Sequence, residues 1–226
     1  MCCKLSIWFV ILISLACVPQ VGAETLTFST STEYSNGTPP TGPTPWMTAT
    51  FADVRPGTVE LTLENTNLVG TEFVSEWCFN LDPSMDPTSL QFGTPSKTGS
   101  FTDPTIDKGV NSFKADGDGK YDFRFNFATD DGVPTRFGVD ESGVGDSMSI
   151  EISGLDLTAN SFYFLSEPAG GHGPFYTAVH VQGISTDKSG WVTGTGSIVV
   201  PEPGSLVMLV MAGLGLLCYA WRRRRS

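Results

Sequence analysis

The chain is poor in basic residues once its two ends are set aside. It has 13 Lys and Arg against 24 Asp and Glu, and five of the basic residues are Lys4 and the four arginines at 222–225. Residues 24–200 keep 8 basic against 23 acidic residues, a net charge of −15. This field repels nucleic acid and anionic lipid headgroups, suits solubility and attracts divalent cations. We therefore expect no nucleic acid partner.

Cysteine is scarce where a fold could use it. Four of the five cysteines lie in the terminal segments: Cys2, Cys3, Cys17 and Cys218. Cys78 is alone between them, so no disulfide can form within the central region. Its neighbours Trp77 and Phe79 favour a buried, apolar role for this thiol, with intermolecular pairing or reactivity as the alternative.

Long helical stripes of apolar residues are missing from the central region. Apolar residues lie in short alternating runs instead, among 25 Gly and 15 Pro. The alternation is clearest over 121–127, where aromatic residues alternate with Asp122, Arg124 and Asn126, which predicts one buried and one wet face. Two sheets would bury such strands, so we predict an all-β fold with a single, jelly-roll-like β-sandwich over residues 24–199.

Turn residues divide this region into candidate strands. The segment 35–45, rich in Pro, Gly and Thr, is predicted to be a long loop. The predicted strands are 26–30, 47–51, 58–63, 72–81, 121–127, 147–152, 161–165, 176–183 and 191–199.

The N-terminus has the pattern of a signal peptide. Lys4 precedes an apolar run over 5–17, and small residues end at Ala23, where signal peptidase would cleave. An uncleaved anchor is the alternative, but the run is shorter than the roughly 20 residues of a spanning helix. A lipoprotein signal at Cys17 is weaker still, because Ser14 stands where such signals place leucine.

The C-terminus combines three features in a fixed order. The first is a proline-containing segment, made of Val200, Pro201, Glu202, Pro203 and Gly204. An apolar run over 205–220 follows, long enough to approach the span of a bilayer. The last is a basic cluster, made of Arg222, Arg223, Arg224 and Arg225, which the positive-inside rule keeps in the cytoplasm.

This arrangement resembles the PEP-CTERM sorting signal of Gram-negative bacteria. The resemblance implies recognition by an exosortase and an association with exopolysaccharide and biofilm; an ordinary tail anchor is the alternative. The predicted plan is a signal peptide (1–23), an ectodomain (24–199) and a sorting signal with a transmembrane helix (200–226). The secretion machinery and exosortase would handle an inner-membrane, tail-anchored precursor whose ectodomain ends at the cell surface or outside the cell.

Three aspartates could form a calcium site. Asp116, Asp118 and Asp122 lie close together around two glycines, and hard cations prefer such carboxylates. The EF-hand spacing fails, because Lys120 and Tyr121 occupy ligand and glycine positions. The alternative is a hairpin turn, which Asp-Gly pairs favour. No cofactor other than calcium is expected.

Catalytic motifs are not found. His172 and His180 lie outside zinc and nucleophile motifs, so we expect no enzyme. Trp46, Trp77 and Trp191 could stack on sugars, although tryptophan in a sandwich is more often core. Two hypotheses remain: a non-enzymatic surface or matrix protein that adheres or binds exopolysaccharide, and an exported hydrolase of envelope polysaccharide, which would need an acid-lined cleft.

Overall fold

The structure, a computed structural model, describes residues 23–130, 135–140, 142–200, 213–216 and 219–224. The strands within them are β1 (Thr25–Glu33), β2 (Met47–Arg55), β3 (Thr58–Asn65), β4 (Phe73–Phe79), β5 (Gln91–Phe92), β6 (Ser96–Thr98), β7 (Thr105–Ala115), β8 (Asp118–Asn126), β9 (Ser147–Ser153), β10 (Thr177–Ile184) and β11 (Lys188–Val199). Two 3-10 helices, Pro87–Ser89 and Ala159–Phe162, connect strands.

All of these strands belong to one antiparallel sheet. Its order is β5-β9-β3-β2-β1-β11-β10-β4-β8-β7, and β6 also pairs with β9. Phe51 on β2 and Phe79 on β4 have ring centroids 5.4 Å apart. Their strands are four steps apart, about 19 Å in a flat sheet. The sheet is therefore curled, with the inner faces of its two halves packed together.

The prediction of an all-β fold is confirmed, but the connection between the layers differs from a sandwich of two sheets. Strand β11 pairs with β1 on one side and with β10 on the other, so hydrogen bonds run continuously from one half to the other. Thr25 lies opposite Val199 in this ladder. Gly194 permits the close approach, because a Cβ there would lie 1.9 Å from the carbonyl oxygen of Ser29.

The core lies between the two halves of the sheet and is rich in phenylalanine. Alternate residues of the strands point inward and are buried, among them Leu26, Phe28, Phe51, Leu61, Phe79, Phe123, Phe125, Ile150, Val179 and Val192. Phe79 lies at its centre and contacts the rings of Phe28, Phe51, Trp77, Phe123 and Phe125. It thereby joins the two halves through direct packing.

Several local predictions can be compared with the structure. Residues 35–45 contain no helix or strand, and Cys78 is completely buried, as predicted. The predicted strand 161–165 is wrong, because this segment lies in and after the 3-10 helix that buries Phe162. Strand β7 was missed, since its sequence, TIDKGVNSFKA, is mostly polar and interrupted by glycine.

The terminal predictions fall largely on residues that the structure does not describe. These are residues 1–22 of the predicted signal peptide and residues 201–212 and 217–218 of the predicted sorting motif and span. Within the part of the chain that is described, no helix is both long and apolar enough to cross a membrane. Arg222, Arg223 and Arg224 are exposed at the end of a short helical segment, and Arg225 lies outside the described residues.

Replacing Phe79 with alanine should lower the free energy of unfolding by about 3 to 5 kcal/mol, because the cavity removes packing from both halves at once. Urea denaturation followed by tryptophan fluorescence measures this loss. Val54, whose residue is 51% exposed, provides the control: V54A should change stability little. Equal losses in F79A and V54A would contradict the central position of Phe79.

Candidate functional site

The predicted signal peptidase site and the start of the predicted sorting motif lie next to paired strand ends. Ala23 is exposed and precedes β1 by two residues, and Val200 directly follows β11 and is 63% exposed. Because Thr25 and Val199 are register partners, the chain enters and leaves the folded domain at the same end of one ladder. Both positions are therefore accessible while the strands beside them remain paired.

Part of the outer face of the half formed by β11, β10, β4, β8 and β7 is covered. Cys78, Ala178 and Tyr121 are buried there, together with Tyr34 and Ala115. The ring of Tyr34 lies 4.4 Å from that of Phe175, which is part of a loop. The predicted wet face of β8 is therefore wrong in part: Asp122 is only 8% exposed, because it accepts hydrogen bonds from the backbone N–H groups of Leu81 and Asn111.

Beside these buried residues, on the same face of the sheet, lies a group of polar and aromatic side chains that we call the polar-aromatic patch. Its members are Glu76, Asp107, Phe113, Arg124, His180 and Trp191. Arg124 donates to Glu76 at 3.2 Å and to Asp107 at 3.0 Å. Its Cζ lies 4.8 Å from the centroid of the Phe113 ring. Desolvation lowers the pKa of Arg124, but its two acidic partners outweigh it, so the pKa is raised and the guanidinium stays charged.

The other end of the patch is a stacked pair. The rings of His180 and Trp191 lie 4.8 Å apart at an angle of 14°. Of the three candidate tryptophans, Trp46 and Trp77 are in the core, with their indole N–H groups bonded to Gly42 and Thr177. Trp191 alone among the three remains partly exposed on a sheet face.

His180 contacts a serine, but the pair does not resemble an activated nucleophile. Its Nδ1 lies 2.9 Å from the hydroxyl oxygen of Ser75. Ser75 is only 8% exposed and also accepts from the Gln182 amide at 3.2 Å. Burial lowers the pKa of His180, which keeps the ring neutral near pH 7. His172 lies in an exposed loop, where its backbone N–H donates to Asp118.

The thiol of Cys78 is likewise unsuited to act as a nucleophile. It donates to Glu76 at 3.2 Å, and burial raises its pKa well above the ordinary value. A buried, protonated thiol is neither a good nucleophile nor a metal ligand.

The three aspartates of the calcium hypothesis have separate surroundings. Asp116 and Gly117 have φ values of 52° and 76° and connect the register partners Ala115 and Asp118, so the hairpin turn is confirmed. Asp118 accepts from the backbone of His172, and Asp122 is engaged as described above. No cluster of His, Cys, Asp or Glu suited to a metal ion occurs in the described ranges. Calcium binding by these residues remains a prediction.

A cleft of about 530 Å³ lies on another part of the domain, and Glu72, Arg136, Asp140 and Asp146 contribute to its wall. Both carboxylate oxygens of Glu72 are engaged, one by Thr41 and the other by the Val69 N–H. The guanidinium of Arg136 lies over the ring of Phe73, 4.2 Å from its centroid. The cleft is thus acidic, and most of its acidic groups support the surrounding loops.

The C-terminal residues match a known protein family. Residues 199–225 match the family model of the PEP-CTERM protein-sorting motif. The chain carries a PEP-CTERM sorting motif. No curated protein and no solved structure matches the chain significantly. The PEP-CTERM match includes Val200, Pro201, Glu202, Pro203, Gly204 and the arginines, and it implies an exported precursor that an exosortase sorts.

The sequence identified the PEP-CTERM motif but not the polar-aromatic patch. Arg124 was noted only as part of an alternating strand, and Asp107 and Phe113 lie on the strand that was missed. Their meeting depends on the register between β4, β8 and β7, for which the linear sequence carries no signal.

Two acidic residues of the cleft should respond to pH in opposite directions. Burial raises the pKa of Asp146, whereas hydrogen bonds from Ser142 and Val144 lower the pKa of Asp140. The stability that Asp146 contributes is therefore lost as pH rises through its folded-state pKa. The stability that Asp140 contributes is lost as pH falls through the folded-state pKa of Asp140. D146N should raise the free energy of unfolding at neutral pH, and D140N should lower it.

The difference for D146N should fade below the ordinary aspartate pKa of about 3.9, where Asp146 is protonated in both states. The difference for D140N should fade only at lower pH, below the lowered folded-state pKa of Asp140. Urea denaturation of the two variants and the wild type at neutral and acidic pH measures this. If D146N destabilised the protein at neutral pH as D140N does, burial would not dominate at Asp146.

Proposed function

We propose that this chain is a non-enzymatic protein of the cell surface or extracellular matrix, delivered through its PEP-CTERM signal, with a role in adhesion and exopolysaccharide association. Signal peptidase would act after Ala23, and exosortase would recognise the segment from Val200 to Gly204. The acidic β-domain between them would then be attached at the surface or released.

The observation that carries the proposal is the pairing of Thr25 with Val199. The compact unit spans Glu24–Val199, and the core residues belong to it. Removal of both terminal signals would therefore leave the sheet and its core complete. A domain built in this way can persist after its anchor has been processed.

Support for a non-enzymatic role comes from the polar groups themselves. The Ser75–His180 pair is mostly buried, Cys78 is a buried thiol, and Glu72 is occupied by its own loops. Each group serves internal hydrogen bonding.

The acid-lined cleft favours a second candidate, the exported hydrolase of envelope polysaccharide. Asp146 is its best candidate acid, because burial raises the pKa of this carboxyl. Release of reducing sugar from envelope polysaccharide by the wild type, lost in D146N, would support the hydrolase and replace the non-enzymatic proposal. Equal, background release in both would disfavour it.

Processing can be tested by intact mass and envelope fractionation in two otherwise identical hosts, with and without an exosortase. The wild type should lose its C-terminal peptide only in the host that contains exosortase. E202A should keep the peptide in both hosts, because the Pro-Glu-Pro segment is altered.

A matched control is Glu167, an exposed residue that also precedes a proline. E167A should be processed as the wild type is. A wild-type chain that kept its peptide through Arg225 in both hosts would instead be a simple tail-anchored protein.

A further inference from the structure

The polar-aromatic patch forms a continuous band across five neighbouring strands. His180 on β10 is the register partner of Trp191 on β11 and of Glu76 on β4. Arg124 on β8 is the register partner of Asp107 on β7. At the usual strand spacing the band is about 19 Å long. It is therefore long enough to contact several units of an extended polymer.

The middle of the band offers both hydrogen-bond acceptors and donors that solvent can reach. Asp107, Arg124 and Glu76 have side chains that are 44%, 30% and 18% exposed. Carboxylates only accept and guanidinium only donates, whereas a hydroxyl group does both. A ligand rich in neighbouring hydroxyl groups can therefore pair with all three without carrying charge itself.

The ends of the band are aromatic. Trp191 and Phe113 are partly exposed, and each has one planar neighbour, His180 and Arg124 respectively. These contacts hold the rings in defined orientations. Flat apolar surfaces of this kind pack against the C–H faces of sugar rings.

The charges of the band and of the whole domain limit the class of glycan that can bind. Arg124 lies between Glu76 and Asp107, so one positive charge is matched by two negative charges. His180 adds no charge near pH 7, and the domain as a whole carries −15 from 8 basic and 23 acidic residues. Uronate-rich or sulfated glycans would be repelled.

We propose that the band formed by Trp191, His180, Glu76, Arg124, Asp107 and Phe113 binds an uncharged glycan chain lying across β11, β10, β4, β8 and β7. This proposal rests on the proposed surface function and deepens it by naming a site and a ligand class. A protein partner fits less well, because the centres of protein interfaces are depleted of charged residues, whereas the centre of this band is an ion triad.

The test uses the full-length chain in detergent, so that binding is measured whether or not exosortase processes the tail. Affinity electrophoresis against dextran, mannan, β-glucan and xyloglucan, with polygalacturonate as the charged comparison, gives the retardation by each polymer. Wild type should be retarded by at least one neutral polymer and not by polygalacturonate. W191A and R124Q should each weaken that binding by about tenfold, the effect of about 1.4 kcal/mol, and W191F should retain most of it.

Arg55 and Glu151 supply a matched control. They form a bidentate ion pair at 3.1 and 2.8 Å on β2 and β9, in the other half of the sheet. R55Q removes an arginine from a similar strand-borne ion pair and should bind as the wild type does. Thermal unfolding of each variant checks that lost binding does not reflect lost folding.

Three results would overturn the proposal. They are no retardation of folded wild type by any neutral polymer, preferential retardation by polygalacturonate, and equal weakening by R55Q and R124Q. Sedimentation velocity adds a further test: if W191A abolished a dimer of the wild type, the band would be an interface between copies. The two tests are independent. Absence of glycan binding would not change the exosortase result, and absence of processing would not change the glycan-binding result.

Discussion

The antiparallel ladder between β1 and β11 is the interaction on which the rest of the structure depends. In the sheet order, β1 is followed on one side by β2, β3 and β9, and β11 is followed on the other side by β10, β4, β8 and β7. Without this ladder the two halves would lose their hydrogen-bonded connection and would be held together only by core packing and the connecting loops. The first and last strands thus contribute to the same sheet and the same core.

The ladder also relates the fold to sorting. Signals at the two ends of a chain can be removed without harm only where the fold does not extend into them. Here the strands begin at Thr25 and end at Val199, so the sheet overlaps the PEP-CTERM match of 199–225 at Val199 alone. Two glycines of β11 allow close packing against this final strand. Gly194 leaves room for the backbone of β1, and Gly196 leaves room for the ring of Tyr163.

Sequence patterns predicted those parts that depend on local chemistry. The alternation at Phe123 and Phe125 indicated a buried strand face, and both residues are completely buried. The Asp116–Gly117 pair indicated a hairpin turn for the same local reason. What could not be predicted depends on tertiary contacts: the carboxylate of Asp122 accepts hydrogen bonds from the backbone N–H groups of Asn111 and of Leu81, which is 41 residues away. The polar-aromatic patch likewise arises only when five strands take their register.

Hydrogen exchange of the full-length chain, followed by mass spectrometry, tests the role of the ladder most directly. If β1 and β11 hold the two halves together, their central amides should exchange with the slowest class, alongside those of β2 and β10. Loop 35–45 should exchange quickly by comparison. Fast exchange along β11 while β2, β3 and β9 remain protected would contradict the account, because the two halves would then be independent units.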